Sequence, residues 1–222
     1  MIAILALGFT IGLSHALEPD HLAAVATITS RHSRPLDMVK HGLTWGLGHA
    51  LTLFGLGGAV FVLGGAIPER LSNWLELAVG AMLFFLGAQV LWKLWRSRIH
   101  LHVHDHDGSR HLHLHSHEHS SEHVHQHGFR WRTLAVGLMH GMAGSAALLL
   151  LAMTKVRDPL AGLAYILVFG IGSMVGMGAL SAALSVPLVL SARFIAAANN
   201  GLQAVIGLGT ACLGAVTMYR HW

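Results

Sequence analysis

The chain has 222 residues, of which 54% are hydrophobic and only 11% are charged. A soluble domain carries about 25% charged residues, so this composition excludes an ordinary soluble protein and indicates an integral membrane protein. The formal charge of +4 is small, and the basic residues lie beside apolar runs, which argues against nucleic-acid binding. Histidine is abundant, with 19 residues, and a single cysteine excludes an intrachain disulfide.

Six apolar runs are long enough to cross a bilayer as helices. In chain order they cover residues 2–28, 42–67, 74–94, 133–154, 160–190 and 194–219, the first being interrupted near Pro19. The sequence therefore predicts an all-α integral membrane protein of six transmembrane helices. Its three parts are a three-helix unit at 1–95, a disordered, histidine-rich polar loop at 96–132 and a second three-helix unit at 133–222.

The basic residues predict the orientation of these spans. They concentrate in the loops that follow the first, third and fifth spans, and the opposite side carries few. By the positive-inside rule the N-terminus lies outside and the long loop is cytoplasmic. The predicted location is the cytoplasmic (inner) membrane of a bacterium.

The two halves of the chain resemble each other. The letters GLSH at 12–15 recur as GLMH at 137–140, GLGH at 46–49 resembles GIGS at 170–173, and the third and sixth spans match around Asn73 and Asn200. Three spans per half is an odd number, so the halves must have opposite orientations. This predicts an inverted 3+3 repeat, the plan of many secondary transporters.

The first span contains the most informative stretch, HALEPDH at 15–21. Pro19 has no N–H and disfavours helical geometry at Glu18, so the helix is expected to break there and to let His15, Asp20 and His21 converge. Ionisable groups at membrane depth are costly and usually functional. Imidazole nitrogen with carboxylate oxygen suits Ni²⁺ or Co²⁺ well and Zn²⁺ almost as well.

Further polar residues lie in other spans. His49, in the middle of the glycine-rich second span, is predicted to be a ligand or to contact one, and a hydrogen-bonded core histidine is the alternative. His140 is the repeat equivalent of His15, and Ser145 takes the place of Asp20 in the same register. Together with Glu18, these two residues are candidates for the metal pathway.

The polar loop is rich in histidine, often in alternation with other residues, and such tracts are typical of metal binding. The predicted ligands in this loop are His100, His102, His104, His106, His111, His113, His115, His117, His119, His123, His125 and His127. Flexible spacing would give many weak sites, and the alternative is a disordered tether with no role in transport.

Three motifs together resemble the nickel/cobalt transporter superfamily, comprising the NiCoT type and the related NicO type, which includes membrane nickel permeases linked to urease. They are His15-x4-Asp20-His21, the letters LGH at 47–49 followed by Thr52, and GLMHG at 137–141. The resemblance implies that His15, Asp20, His21 and His49 recognise and pass the divalent ion. The chain departs from the NiCoT pattern at Glu18, where an aspartate is typical, and lacks that type's acidic motif in the second half.

The sequence therefore predicts a permease for Ni²⁺ or Co²⁺, working in the direction of uptake, with no organic cofactor. A nickel chaperone or a maturation protein for a nickel enzyme is the expected soluble partner. One alternative is a NicO-type exporter. Two others are a membrane metalloenzyme and a b-type cytochrome with His49 and His140 as axial ligands. The internal repeat argues against an enzyme, because a fixed catalytic site does not need two gates.

Overall fold

The computed structural model describes residues 2–30, 32, 34–59, 68–96, 102–106, 109–113, 131–142, 158–194 and 196–222. These parts of the chain are helical apart from one short hairpin and connecting turns. The helices are α1 (Ile2–His15), α2 (Pro19–Thr29), α3 (Pro35–Thr52), α4 (Glu69–Arg96), α5 (Trp131–His140), α6 (Pro159–Phe194) and α7 (Ala196–His221).

The first predicted span is broken where the sequence predicts it. Helix α1 ends at His15 and α2 begins at Pro19, with an angle of 59° between them. Glu18, the residue before the proline, is extended at φ −61° and ψ 146°, because the proline ring excludes helical geometry there. Pro19 itself occupies the first turn of α2, where its missing N–H costs nothing. The predicted interruption is confirmed.

Three helices in the described parts are long and apolar enough to cross a membrane, and the bent pair α1–α2 makes a fourth if it counts as one span. The three stretches that qualify are Glu69–Arg96, Leu160–Ser191 and Ala198–His221. An all-helical, multi-pass membrane protein is therefore confirmed. The predicted second and fourth spans continue into residues 60–67 and 143–154, which lie outside the described residues, so a set of six spans stays a prediction.

Two helix boundaries differ from the predicted ones. Helix α3 begins at Pro35 and not near residue 42, because Pro35 fits the first turn of a helix and Arg34 before it is extended. After Thr52 this helix continues into a π-helical turn at Leu53–Gly57. Helix α6 runs through Pro187 to Phe194, so the proline lies within this helix and does not end it.

A hairpin lies within the loop that is predicted to be disordered. Strand β1 (His102–His106) pairs with β2 (Ser109–His113) in antiparallel register, with His102 opposite His113 and His104 opposite His111. The alternation of histidine with other residues matches the two-residue period of a strand. His100, His115, His117, His119, His123, His125 and His127 lie outside the described residues.

Glycines permit close crossings between helices of the two halves. Helix α1 packs along α6, α3 packs along α6 and α5, and α4 packs along α7. A Cβ added to Gly12 would overlap the carbonyl of Phe169 on α6, and one added to Gly137 on α5 would overlap the carbonyl of Trp45 on α3. Small residues at such crossings let backbones approach closely in membrane helices. These crossings bring the ends of α1 and α5 to the middle of α3.

Beside these crossings lies the main buried apolar cluster. The turn after α1 and the helices α2, α3, α4 and α6 contribute its members: Ala16, Ala24, Val25, Ile28, Trp45, Val79, Leu83 and Met177. The cluster packs the second half of α2 against α3 and α4, so the broken first span has a fixed position.

Candidate metal centre

Four imidazole rings from separate stretches of the chain converge at one buried place. His15 ends α1, His21 lies in the first turn of α2, His49 lies in α3 and His140 ends α5. The ring centroids of His15 and His21 are 4.3 Å apart, those of His21 and His49 are 4.9 Å apart, and those of His21 and His140 are 4.5 Å apart. Each of the four residues is at most 3% exposed.

The helix break brings the first two rings together. In a continuous helix His15 and His21 would point in different directions at about 100° per residue. Here the N–H of Leu17 donates to the carbonyl of Ser14 at 2.9 Å and that of Glu18 donates to the carbonyl of His15 at 3.1 Å, which ends α1 in a tight turn. The chain then enters α2 at an angle, and both rings face the same space.

Two carboxylates hold three of the rings in place. The Nδ1–H of His15 donates to Glu18 Oε1 at 2.7 Å, the Nδ1–H of His21 donates to Asp20 Oδ1 at 3.0 Å, and the Nε2–H of His140 donates to Asp20 Oδ2 at 2.9 Å. A neutral imidazole that donates through one nitrogen presents a lone pair on the other. Carboxylate partners of this kind fix the ring and its tautomer in metal sites.

The nitrogens on the far side of these rings have no hydrogen-bond partner among the described residues. They are Nε2 of His15, Nε2 of His21, Nδ1 of His140 and both ring nitrogens of His49, and all are buried. Buried polar atoms are nearly always partnered in folded proteins. Several buried imidazole nitrogens that have free lone pairs within one cluster are the donors that a transition-metal ion uses.

Two overlapping trios bring potential ligand atoms within 4.8 Å of one another, His15, His21 and His49 in one and Asp20, His21 and His140 in the other. In the second trio both histidines already donate to Asp20, so the first trio is the better arrangement for an ion. Histidine nitrogen with a carboxylate suits Ni²⁺, Co²⁺, Zn²⁺ or Cu²⁺ and is a poor match for Mg²⁺ or Ca²⁺. The carboxylates of Glu18 and Asp20, each hydrogen-bonded to a ring of the cluster, can balance the charge of a divalent cation there.

The structure brings together most of the residues that the sequence singles out. His15, Asp20, His21, His49 and His140 share the site, and Glu18 contacts it through His15. Ser145 lies outside the described residues.

Sequence reasoning missed two aromatic residues beside the site. The ring of Phe169 is 5.3 Å from that of His15, and the ring of Trp45 is 5.2 Å from that of His140. The internal repeat holds the signal that could have found them, because Trp45 and Phe169 immediately precede the matched letters at 46–49 and 170–173.

The family model for NicO, described as high-affinity nickel-transport protein, matches residues 1–208 of this chain. The chain belongs to the NicO family. It is therefore a membrane transport protein of a nickel-transporting family and not an enzyme, and the predicted superfamily is confirmed. The metalloenzyme and cytochrome alternatives are set aside on the same ground.

Curated relatives extend the comparison over the whole chain. The chain is 34% identical over 220 residues to the urease accessory protein UreH of Bacillus sp. (strain TB-90), covering 99% of this chain and 92% of that protein. It is 28% and 26% identical to Chloroplast protein FOR GROWTH AND FERTILITY 1 and 2 of Arabidopsis thaliana, covering 79% and 77% of this chain but 47% and 44% of those proteins. No solved structure matches.

Replacing Asp20 with asparagine tests the role of the shared carboxylate. Asp20 accepts hydrogen bonds from both His21 and His140, and an amide can offer only one acceptor oxygen. We expect Asp20→Asn to weaken Ni²⁺ binding by about 10–100-fold, as loss of an outer partner does in other metal sites. Titration calorimetry on the detergent-purified protein measures this.

Asp158→Asn is the matched control, because that side chain accepts from backbone N–H groups of Leu160 and Ala161 at the start of α6. Unchanged Ni²⁺ affinity in Asp20→Asn, or equal losses in both variants, would show that the carboxylate at the site has no part in binding.

Proposed function

We propose that this protein carries Ni²⁺ or Co²⁺ into a bacterial cell across the cytoplasmic membrane, through a site formed by His15, Asp20, His21 and His49. The observation that carries the proposal is a cluster at a broken membrane helix of buried imidazole nitrogens that have no hydrogen-bond partner in the described parts of the chain. Breaks of this kind are tolerated at membrane depth where the backbone lines a cavity or is covered by protein, and they mark substrate sites in transporters.

An inverted repeat forms part of the proposal, and the helix crossings support it. Helix α1 ends at His15 and α5 ends at His140, which are equivalent positions in the repeat. The crossing of Gly12 with Phe169 has its counterpart in the crossing of Gly137 with Trp45. In α4 and α7, Gly80 meets Gly214 while Gly87 meets Gly207, as expected for two helices related by a twofold axis.

The direction of the helices supports the same plan. Along α1 and α6, Gly8 lies beside Tyr165 and Gly12 beside Phe169, so these helices run parallel. Along α3 and α6, Gly46 lies beside Met174 and Gly170 beside Ala50, so these run antiparallel. A pair of halves with opposite directions around one site suits transport by alternating access.

In the proposed cycle the ion sheds water and is bound by His15, His21 and His49, while Asp20 and Glu18 balance its charge. Movement of one half against the other then exposes the ion to the opposite face, with His140 as the next group on its way. An inside-negative potential favours entry by about 2.3 kcal/mol per charge per 100 mV, and twice that for a divalent ion. The histidine-rich loop is proposed to bind metal on the cytoplasmic side.

The similarity to a protein named as a urease accessory protein suggests the destination of the ion. We propose that this chain supplies nickel to a nickel enzyme such as urease, through a nickel chaperone or maturation protein in the cytoplasm. The same cytoplasmic loop would equally suit an exporter that gathers metal before releasing it, so direction is the property to measure.

Sealed proteoliposomes decide the transport function. We expect radioactive Ni²⁺ and Co²⁺ to accumulate inside, and to accumulate faster when an inside-negative potential is imposed. Protein-free liposomes are the control for leakage, and Zn²⁺ and Mg²⁺ competition measures selectivity. If Ni²⁺ moves only against the potential and only when a proton gradient is present, the protein is an exporter. If Ni²⁺ binds tightly but does not cross under any gradient, the protein is not a carrier.

A further inference from the structure

Two buried aromatic side chains lie against the histidine cluster at equivalent positions of the two halves. Trp45 is 0% exposed and Phe169 is 2% exposed. The Trp45 ring is 5.2 Å from the ring of His140, and the Phe169 ring is 5.3 Å from the ring of His15. Phe169 therefore covers His15 at the end of α1, and Trp45 covers His140 at the end of α5.

The surrounding backbone is also equivalent. The carbonyl of Phe169 packs against Gly12, and the carbonyl of Trp45 packs against Gly137. Each aromatic is thus fixed at a crossing of two helices that carry the site, so relative movement of the two helices displaces the ring.

The two aromatic residues begin at different levels along the helix axes, one on each side of His49. Since Gly46 on α3 faces Met174 and Ala50 faces Gly170, Phe169 lies beyond the level of His49 whereas Trp45 lies before it. At a rise of 1.5 Å per residue, the backbone positions of Trp45 and Phe169 are about 9 Å apart along the axis. His49 and Ser173 occupy the levels between them.

The indole N–H of Trp45 is not satisfied in the position that the structure shows. Its indole Nε1 is buried and has no hydrogen-bond partner among the described residues. A buried N–H without an acceptor costs about 1–3 kcal/mol, and a different ring position in which it meets water or an acceptor would recover that cost. The side chain is therefore suited to alternate between two positions.

We propose that Trp45 and Phe169 are the two gates of the ion path, each closing one side of the histidine cluster. The proposal rests on the proposed transport function, in which the ion must leave the cluster toward either face. Phe169 closes the side of His15, and Trp45 closes the side of His140. A carrier opens one of them at a time, so removing one ring should open the cluster to one face only.

A single cysteine placed between the two rings tests this arrangement. Ser173→Cys introduces a thiol at a position that is 0% exposed, in a Cys212→Ala background that removes the exposed native thiol. A membrane-impermeant methanethiosulfonate reagent is applied to intact cells and to inverted membrane vesicles. Trp45→Ala is expected to speed labelling from one face and Phe169→Ala from the other. Because a minor open state holds at most about 10% of the molecules, opening it fully speeds labelling about tenfold or more.

Leu83→Ala is the matched packing control, because Leu83 is also 0% exposed and belongs to the apolar cluster on α4. It should leave the labelling of both faces unchanged. Where an alanine variant does not assemble, judged by size-exclusion chromatography, Trp45→Leu or Phe169→Leu replaces it.

Three results would overturn the gate assignment. Both variants could be labelled faster from the same face, one variant could be labelled faster from both faces, or neither variant could change. Ni²⁺ flux is measured on the same proteins without the reporter. If the unmodified protein shows no flux, the transport function is overturned. If flux is normal but the two variants are not labelled from opposite faces, only the gate assignment is overturned.

Discussion

Replacing His21 with alanine is expected to abolish high-affinity Ni²⁺ binding and transport. His21 belongs to both trios of candidate ligands, and its ring contacts those of His15, His49 and His140. Loss of an outer partner of a metal ligand costs about 10–100-fold in affinity, and loss of a ligand that both trios share should exceed the upper end of that range.

A thermal unfolding assay with and without Ni²⁺ separates this effect from misfolding. A ligand at 100 times its dissociation constant stabilises a protein by about 2.7 kcal/mol, so Ni²⁺ should raise the melting temperature of the unmodified protein and not that of His21→Ala. In metal-free buffer the variant should fold, with a melting temperature somewhat below that of the unmodified protein, because it loses the hydrogen bond to Asp20 and leaves a cavity where the ring was.

His221→Ala is the matched control for a lost histidine. That side chain lies at the end of α7, where its Nδ1 is 3.5 Å from the side-chain oxygen of Asn73, and it should keep the full response to Ni²⁺. A His21→Ala protein that still gains thermal stability at low Ni²⁺ concentrations would rule out the buried cluster as the binding site.

Local sequence rules account for the part of the site that lies on the first span. Pro19 dictates the break and the extended geometry of Glu18, and the break accounts for the meeting of His15 and His21. The structure adds a point that spacing alone does not give, namely that Glu18 bonds to His15 and so orients a ring. The role of Glu18 in a metal pathway stays a prediction.

The contacts that complete the site depend on tertiary packing, which one sequence does not specify. The hydrogen bond between Asp20 and His140 joins residues that are 120 positions apart. Nothing in the local pattern around His140 distinguishes a site residue from a structural histidine. Trp45 and Phe169 are also hidden in the sequence, because a large aromatic residue in an apolar span is more often a packing residue or a lipid contact.

The internal repeat is the one sequence feature that reaches across these distances. Aligning the halves by their glycines places His140 with His15 and Phe169 with Trp45, and each of these residues lies at the cluster in the structure. Glycine is informative here because its position is set by the backbone of a neighbouring helix rather than by burial alone.

Adding a methyl group at Gly12 or at Gly137 should therefore damage both the fold and the site. In each case the new Cβ would overlap a backbone carbonyl, that of Phe169 or that of Trp45, and a backbone cannot move aside as a flexible side chain does. Overpacking of this kind costs about 1–3 kcal/mol. Separation of the helices would also shift His15 or His140 from the cluster, so Ni²⁺ affinity should fall together with stability.

Gly209→Ala supplies the matched control, because an added Cβ there meets nothing within 4 Å. In the interior of α7 the exchange should be neutral or stabilising by up to about 1 kcal/mol. Melting temperature and Ni²⁺ titration in detergent measure all three variants. If the two crossings are related by a twofold axis, the variants at Gly12 and Gly137 should lose similar amounts of stability. If either variant keeps the melting temperature of the unmodified protein, the two crossings are not equivalent, and the main support for an inverted repeat is removed.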